Sequence, residues 1–442
     1  MTVNGMYKSI FKGLTLLILV LMSVVLTYKI WNFKPNLANV ESSITKSSTA
    51  LSPKNLDNIH SAFLPYQVVS YTNNHIHGTT NKDILLEYID SLSNKKITAI
   101  STKQLNINYM SKGMRERFLI LDFASDLPLS MYLSDILDST FKGDVDETFD
   151  RLIVDSHSKD NLVLYVITNH QTMVAIEMDA SSNTFNEFVK DSEKSMESYT
   201  GIITNEQSTD EKTSIYVPEQ PSETKRYSYL ADAINVDDIN KAVLGDKNSI
   251  IERKDKKDSK TYNSNTGIVK VKNDATYKFN NLSEVNHAKP RPFDHLISSF
   301  NFISEHGGFT DDYRYFDIKQ SDNAISYQMF FKGYPVFHEN HLSEIDIVWG
   351  DKDVYEYKRG LYSTSVAVPS TKDIAKLPSA EEVRYKLASN QEYHFDQVSN
   401  MMVGYKMIYS DQDTIQSTLS FEPEWYVKYN NEWRLYQDGR LV

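Results

Sequence analysis

The chain has 442 residues, a formal net charge of −12, 24% charged and 40% hydrophobic residues, and no cysteine. That balance describes a folded protein and excludes a disordered chain or a disulfide-stapled scaffold. Four of the lysines lie in the first 34 residues, which hold no acid, so the remainder carries a net −16. Its overall charge argues against binding nucleic acid or an anionic membrane surface.

The amino terminus predicts a single membrane span. Leu14 to Leu26 is apolar except for Thr15 and Ser23, and Ile10, Phe11, Ile30 and Trp31 extend the run. From Ile10 to Trp31 it covers about 22 residues, close to the ~20 that a helix needs to cross the hydrocarbon core. Lys12 and Lys29 are placed to snorkel, and Tyr28 and Trp31 to anchor at the interface. Bulky residues follow the run, with no small-residue cleavage site before Ala38, so the span is expected to be an uncleaved anchor. Lys8, Lys12 and the α-amine place the amino terminus in the cytoplasm and the rest outside the cell. The expected division is a cytoplasmic tail (1–12), a transmembrane helix (13–31) and a Ser/Thr-rich linker (32–52). An N-terminal α/β domain (53–200), a central β-rich domain (201–286) and a C-terminal α+β domain (287–442) follow.

In the first of these domains, Ile84, Leu85, Tyr88, Ile89 and Leu92 mark one face of a helix. Arg117 to Phe123 is a buried strand in pattern, and Leu133, Ile136 and Leu137 mark a short helix. Leu162–Thr168 and Thr172–Met178 flank Asn169-His170-Gln171 as a hairpin. A helix is expected from Thr184, with Glu187 completing a capping box and a face running through Phe185, Phe188, Val189, Ser192, Met196 and Tyr199. Further on, Glu252–Lys260 is a mixed-charge run expected to be a solvated loop, and Gly267–Lys272 and Thr276–Phe279 are strands joined at Asn273-Asp274. Arg291-Pro292 disfavours helix and marks a boundary.

The last domain opens with a helix along Phe293, Leu296, Ile297, Phe300 and Ile303, stopped by Gly307-Gly308. Strands are expected at Arg314–Ile318, Ile325–Phe331, Tyr334–Phe337, Ile345–Trp349 and Val354–Tyr357. After a helix capped by Ser379 with Glu382, strands return at Val403–Tyr409, Gln416–Phe421, Trp425–Tyr429 and Trp433–Tyr436. The fold class is therefore α+β: one N-terminal transmembrane helix, then several extracytoplasmic domains of helices and antiparallel sheets.

No catalytic constellation emerges. There is no G-x-S-x-G elbow, phosphate-binding loop or H-E-x-x-H pair. His75/His77, His338/His341 with Glu339 and Glu344, Asp311/Asp312 and Asp411/Asp413 read as loop or turn residues, so no metal or cofactor is expected. Trp425, Tyr426, Trp433 and Tyr436 read as core. In the span, Ser23 and Thr27 lie on one helical face flanked by Val20 and Val24, the candidate contact with other membrane helices.

The stretches LVLMSVVLTYKIWNFKPNLANVES (Leu19–Ser42), GYPVFHENHLSEIDIVWGDKDVYEY (Gly333–Tyr357) and PEWYVKYNNEWRLY (Pro423–Tyr436) resemble the YycH family, membrane-anchored regulators of a two-component system. The resemblance covers the whole chain and implies that the C-terminal domain is a module like that of YycI. It also implies a non-enzymatic role with two partners, a YycI-type protein and the sensor histidine kinase WalK, acting on cell-wall metabolism. The alternatives are an extracytoplasmic module that binds a wall fragment or peptide, a cell-wall hydrolase, or a protease inhibitor.

Overall fold

The computed structural model describes residues 16, 19–23, 58–72, 75–104, 117–141, 145–155, 161–167, 172–204, 214–221, 224–245, 250–254, 259–285, 291–369, 374–410 and 417–442. The chain divides into two units, Met1–Ser52 and Pro53–Val442. The expected linker, the loop at Asn169-His170-Gln171 and Asp411/Asp413 lie outside the described residues.

Most helix starts follow from a side-chain cap. Among the described residues after Ser52, the α-helices longer than three residues are α1 (Ile59–Ala62), α2 (Lys82–Leu92), α3 (Ser182–Glu193), α4 (Val236–Leu244), α5 (Leu296–Glu305) and α6 (Ala380–Ser389). Asn81 accepts from the Asp83 and Ile84 amides to start α2, and Ser379 accepts from the Glu382 amide to start α6. α3 begins earlier than expected, because Ser181, not Thr184, accepts from an amide, that of Thr184 itself. It also ends earlier, at Glu193, and Tyr199 belongs to a strand. Leu133 and Ile136 lie in a π-helical segment, Tyr132–Ile136, that continues the turn Leu129–Met131. Phe293 sits in a 3-10 turn, Pro292–His295, ahead of α5.

The first sheet holds β1 (Gln67–Thr72), β2 (His75–Thr79), β3 (Ile97–Gln104), β4 (Arg117–Pro128), β5 (Thr148–Asp155), β6 (Leu162–Ile167), β7 (Thr172–Met178), β8 (Glu197–Ile203) and β9 (Ser214–Pro218). Its order is β3-β7-β6-β5-β4-β1-β2-β8-β9, antiparallel throughout. The expected boundary at residue 200 falls inside β8. Leu85, Tyr88, Ile89 and Leu92 of α2 and Phe185 and Val189 of α3 pack on one face, against Leu121, Leu152, Leu164 and Ile176. Each fully buried aliphatic or aromatic side chain contributes about 1.5–3 kcal/mol.

The second sheet takes β11 (Tyr227–Ala233), β12 (Ile251–Lys254), β13 (Ser259–Asn263), β14 (Gly267–Lys272), β15 (Thr276–Asn281), β16 (Asp312–Lys319), β17 (Ala324–Phe331), β18 (Tyr334–Phe337), β19 (Glu344–Trp349) and β20 (Val354–Gly360). It continues with β21 (Tyr362–Ala367), β23 (Val398–Ser410), β24 (Thr418–Tyr429), β25 (Glu432–Gln437) and β26 (Arg440–Leu441). The short strands β10 (Thr224–Lys225) and β22 (Ile374–Ala375) pair with each other. The main path runs β12-β13-β14-β15-β20-β19-β17-β18-β23-β24-β11-β21. Strands from 227–281 and from 312–441 thus share one sheet, and the expected boundary at 286 lies outside the described residues.

Asn273-Asp274 and Asn430-Asn431 all take positive φ, as the tightest hairpins require. The expected strand Gln416–Phe421, from Thr418 on, and the expected strand Trp425–Tyr429 form a single strand, β24. Pro423 does not break it, since it pairs with Tyr405 of β23 on one side and falls between the ends of β11 and β25 on the other. α5 and α4 contribute Leu296, Ile303 and Ile239 to the same core as Tyr277, Tyr327 and Tyr357, and that core is continuous with the one beneath the first sheet. α6 closes a smaller core with Trp425, Met401 and Val427.

Candidate functional site

The segment expected to span a membrane is described only at Leu16 and Leu19–Ser23, all helical and exposed. Val20 is 53% exposed and stands three residues from Ser23, so the two share a helical face. Val24, Thr27, Lys12, Tyr28, Lys29 and Trp31 lie outside the described residues. Among the described residues no helix is long and apolar enough to cross a membrane.

The polar residues singled out in the sequence are held in local structure. His338 Nδ1 accepts from the Asn340 amide at 3.0 Å, and His341, at φ 57°, pairs through Nδ1 with Glu344 Oε2 at 2.7 Å. That hydrogen bond raises the His341 pKa, whereas burial lowers that of His338. His75 and His77 lie on β2 with ring centroids 6.4 Å apart. Among the described residues no group of three His, Cys, Asp or Glu is placed to hold a metal ion. Asp311 accepts from the Thr364 hydroxyl at 2.5 Å. Trp425 is buried and donates through Nε1 to the Pro378 carbonyl at 2.9 Å, and Tyr426 stacks on Phe337.

What the structure brings together instead is a polar junction between the two sheets. Asp122 on β4 faces Arg151 on β5, with Arg151 Nε 2.5 Å from Asp122 Oδ1. Gln67 of β1 donates through Nε2 to Asp122 Oδ2 and to the Tyr216 carbonyl, each at 2.9 Å. Burial works against the Arg151 charge, but Asp122 more than offsets it and raises the pKa. Beside this group, the Tyr66 hydroxyl accepts from Nδ2 of Asn400 on β23 at 3.2 Å, which crosses to the second sheet. Burial raises the Tyr66 pKa well above its ordinary value.

A second crossing starts at α2. Lys82 Nζ lies 2.8 Å from Asp312 Oδ1, and Arg314 Nη2 lies 2.9 Å from Asp312 Oδ2. Arg314 is fully buried over the Phe330 ring, and its Nε and Nη1 make no hydrogen bond. Burial opposes the Asp312 charge, yet Arg314 and Lys82 hold its carboxyl below its ordinary value. Nearby, a Cβ on Gly333 would run into the Thr80 carbonyl oxygen, so the β17–β18 turn fits here only as glycine. The cleft between Tyr66, Gln67, Tyr199, Tyr334 and Met402 has about 10 Å³ of space, enough for about one water.

Sequence reasoning missed these junction residues. Asp122 inside the apolar run RFLILDF was a readable signal, since a buried charge demands a partner. Which cation would supply it was not readable, because β5 finds its place only in the folded sheet.

The comparisons with known proteins agree with one another. The family model described as the YycH protein N-terminal domain matches residues 9–198, and that described as the YycH protein C-terminal domain matches residues 212–439. A Bacillus subtilis (strain 168) protein described as the two-component system WalR/WalK regulatory protein YycH is 21% identical over 452 residues, covering 95% of this chain and 94% of that protein. The crystal structure of YycH from Bacillus subtilis is similar with a TM-score of 0.67 at 15% identity, covering 87% of this chain and 98% of that one.

Proposed function

The chain belongs to the YycH family, and on that premise we propose that it is a non-enzymatic, membrane-anchored regulator that associates with a YycI-type partner and with the sensor kinase WalK, adjusting kinase activity and cell-wall metabolism. The observation that carries this reading is the match of both halves of the chain to the family, beside a relative described as a WalR/WalK regulatory protein. The amino terminus is the cytoplasmic end, the apolar segment holds the chain in the membrane, and the sheets lie outside. In lipid, helices associate through close packing and interhelical hydrogen bonds, so the face of Val20, Ser23, Val24 and Thr27 meets the kinase helices. Lys12, Tyr28, Lys29 and Trp31 set its depth. The cleft between the sheets gives no support to a ligand-binding role. Small-molecule sites occupy roughly 300–1,000 Å³, far beyond room for one water.

Co-purification from membranes tests this. Removing residues 1–34, or replacing Ser23→Leu with Thr27→Leu, is expected to reduce recovery of WalK and to change kinase output. Unchanged recovery and output with the double variant would sink the assignment of that face. Loss of neither partner on removing the segment would sink the anchored-regulator reading.

A further inference from the structure

The chain is acidic overall, yet one outward sheet face is cationic. On β12–β15 the residues Tyr262, Val269, Val271, Tyr277 and Phe279 point into the core, so their neighbours in sequence point outward. Register then sets Arg253 opposite Thr261, Thr261 opposite Lys270, Lys270 opposite Lys278, and Lys278 opposite Lys358. Lys272 extends the array one pair along β14, opposite Thr276. Lys278 pairs with Glu356 at 2.8 Å and Lys358 with Asp346 at 3.6 Å. Among the described residues, Arg253, Lys270 and Lys272 have no carboxylate partner within ion-pair distance.

Like charges directly opposite each other oppose sheet formation. Strands about 4.8 Å apart bring the ammonium groups of Lys270, Lys278 and Lys358 within a screening length of each other. Glu356 and Asp346 offset Lys278 and Lys358 within the fold, whereas a partner of opposite charge would relieve Lys270 and its neighbours Arg253 and Lys272. Beside the cations, the same face carries exposed aliphatic side chains. Ile251 is 62% exposed and Leu282 is 58% exposed. Ile251 and Ile268 both face Asn263 in register, and the Leu282 amide bonds to the Thr266 carbonyl at the same end.

We propose that this face docks on an anionic phospholipid surface, with Arg253, Lys270 and Lys272 meeting phosphate headgroups and Ile251 and Leu282 reaching below them. A cationic array edged by exposed aliphatics combines the two attractions that bind proteins to anionic membrane interfaces. A polyanionic chain in solution would use the cations but give the aliphatics no role. The inference is independent of the kinase partnership. It reverses the exclusion drawn from net charge, because a net value averages over faces that never meet the same partner.

The absence of cysteine makes a clean test available. The full chain is reconstituted in phosphatidylcholine vesicles with or without 30% phosphatidylglycerol, carrying one environment-sensitive label at Ser283→Cys or, as control, at Ser389→Cys on α6. The expected result is a blue shift of the Ser283 label in the anionic vesicles only, no shift at Ser389, and reversal by 0.5 M salt. Each cation removed should lower the docked-to-undocked ratio about fivefold, so Lys270→Gln with Lys272→Gln should lower it by at least tenfold. Both positions are exposed and the changes relieve repulsion, so folding is retained; unchanged circular dichroism checks this. An equal response in both vesicle types, or an unaltered ratio in the double variant, overturns the proposal. So does a shift produced by soluble polyphosphate but not by anionic vesicles, which would assign the face to a polyanion.

Discussion

The two ion-pair groups at the junction look alike and do different things. Asp122 and Arg151 sit on adjacent strands of one sheet, 4% and 12% exposed, and Gln67 satisfies the free carboxylate oxygen. Asp312 instead draws its two cations from different elements, Lys82 at the start of α2 and Arg314 on its own strand, and Arg314 keeps two unpaired nitrogens. The first pair fixes the register of β4 against β5 within one sheet. The second clamps a helix of the first half to a strand of the other. A buried ion pair adds little net stability over an apolar substitute, but breaking one half of it leaves an uncompensated charge. The two groups should therefore fail in different ways.

A large effect is expected from Asp122→Asn, which removes the carboxylate facing Arg151 and should cost about 3–5 kcal/mol. Beyond residue 31 all the tryptophans, Trp349, Trp425 and Trp433, belong to the second sheet. Urea unfolding followed by tryptophan fluorescence should consequently lag behind the same transition followed by circular dichroism. Coincident transitions would show that the pair supports both halves equally.

Asp312→Asn leaves the fully buried Arg314 without its carboxylate and should likewise cost about 3–5 kcal/mol, but it should shift both signals together because it loosens the clamp between halves. The acid limb sharpens the contrast. A carboxyl held below its ordinary value stabilises the fold above the ordinary carboxylate range, and that contribution disappears as the pH falls through the folded-state value. The natural chain should lose stability below about pH 4 more steeply than the Asp312→Asn variant. Parallel acid limbs would refute the assignment.

The smallest effect belongs to a surface pair outside the junction. Glu344 raises the His341 pKa, so the contribution is complete below the ordinary imidazole value and is lost as the pH rises through the raised one. Amide exchange across 338–344, corrected for its intrinsic pH dependence, should speed up from pH 6 to pH 8.5. In His341→Gln that change should vanish. With His341 more than half exposed, solvent screens the interaction, and no change in global stability is expected.

Local pattern carried the hairpins and most helices, since turn and cap residues act on neighbours a few positions away. It failed where two periods coincide: Ser192, Met196 and Tyr199 keep helical spacing, although the chain leaves the helix at Glu193 and Tyr199 is buried from β8. The two strands expected on either side of Pro423 are one for a different reason, because whether a strand tolerates proline depends on which side of it is occupied. The placement of β11 between β24 and β21 joins segments more than a hundred residues apart, beyond any local signal. The junction and the cationic face were hidden in the same way. Each residue was visible, but only register and packing showed which others stood beside it.

The larger sheet also contains a line of mechanical weakness. β18 meets β23 through only two parallel partners, Val336 with Tyr405 and Phe337 with Lys406, while β23 and β24 are paired along nearly their full lengths. Side chains reinforce that seam: Phe337 stacks on Tyr426 at 3.9 Å, and Gly404 leaves room for the Pro335 carbonyl. The hairpin strands β12 to β20 and the long strands β23 and β24 thus meet here through few backbone pairs, and they are joined again where β21, directly after β20, pairs β11 beside β24. A load applied across this line falls on Val336 and Phe337 and on the pairing of β21 with β11.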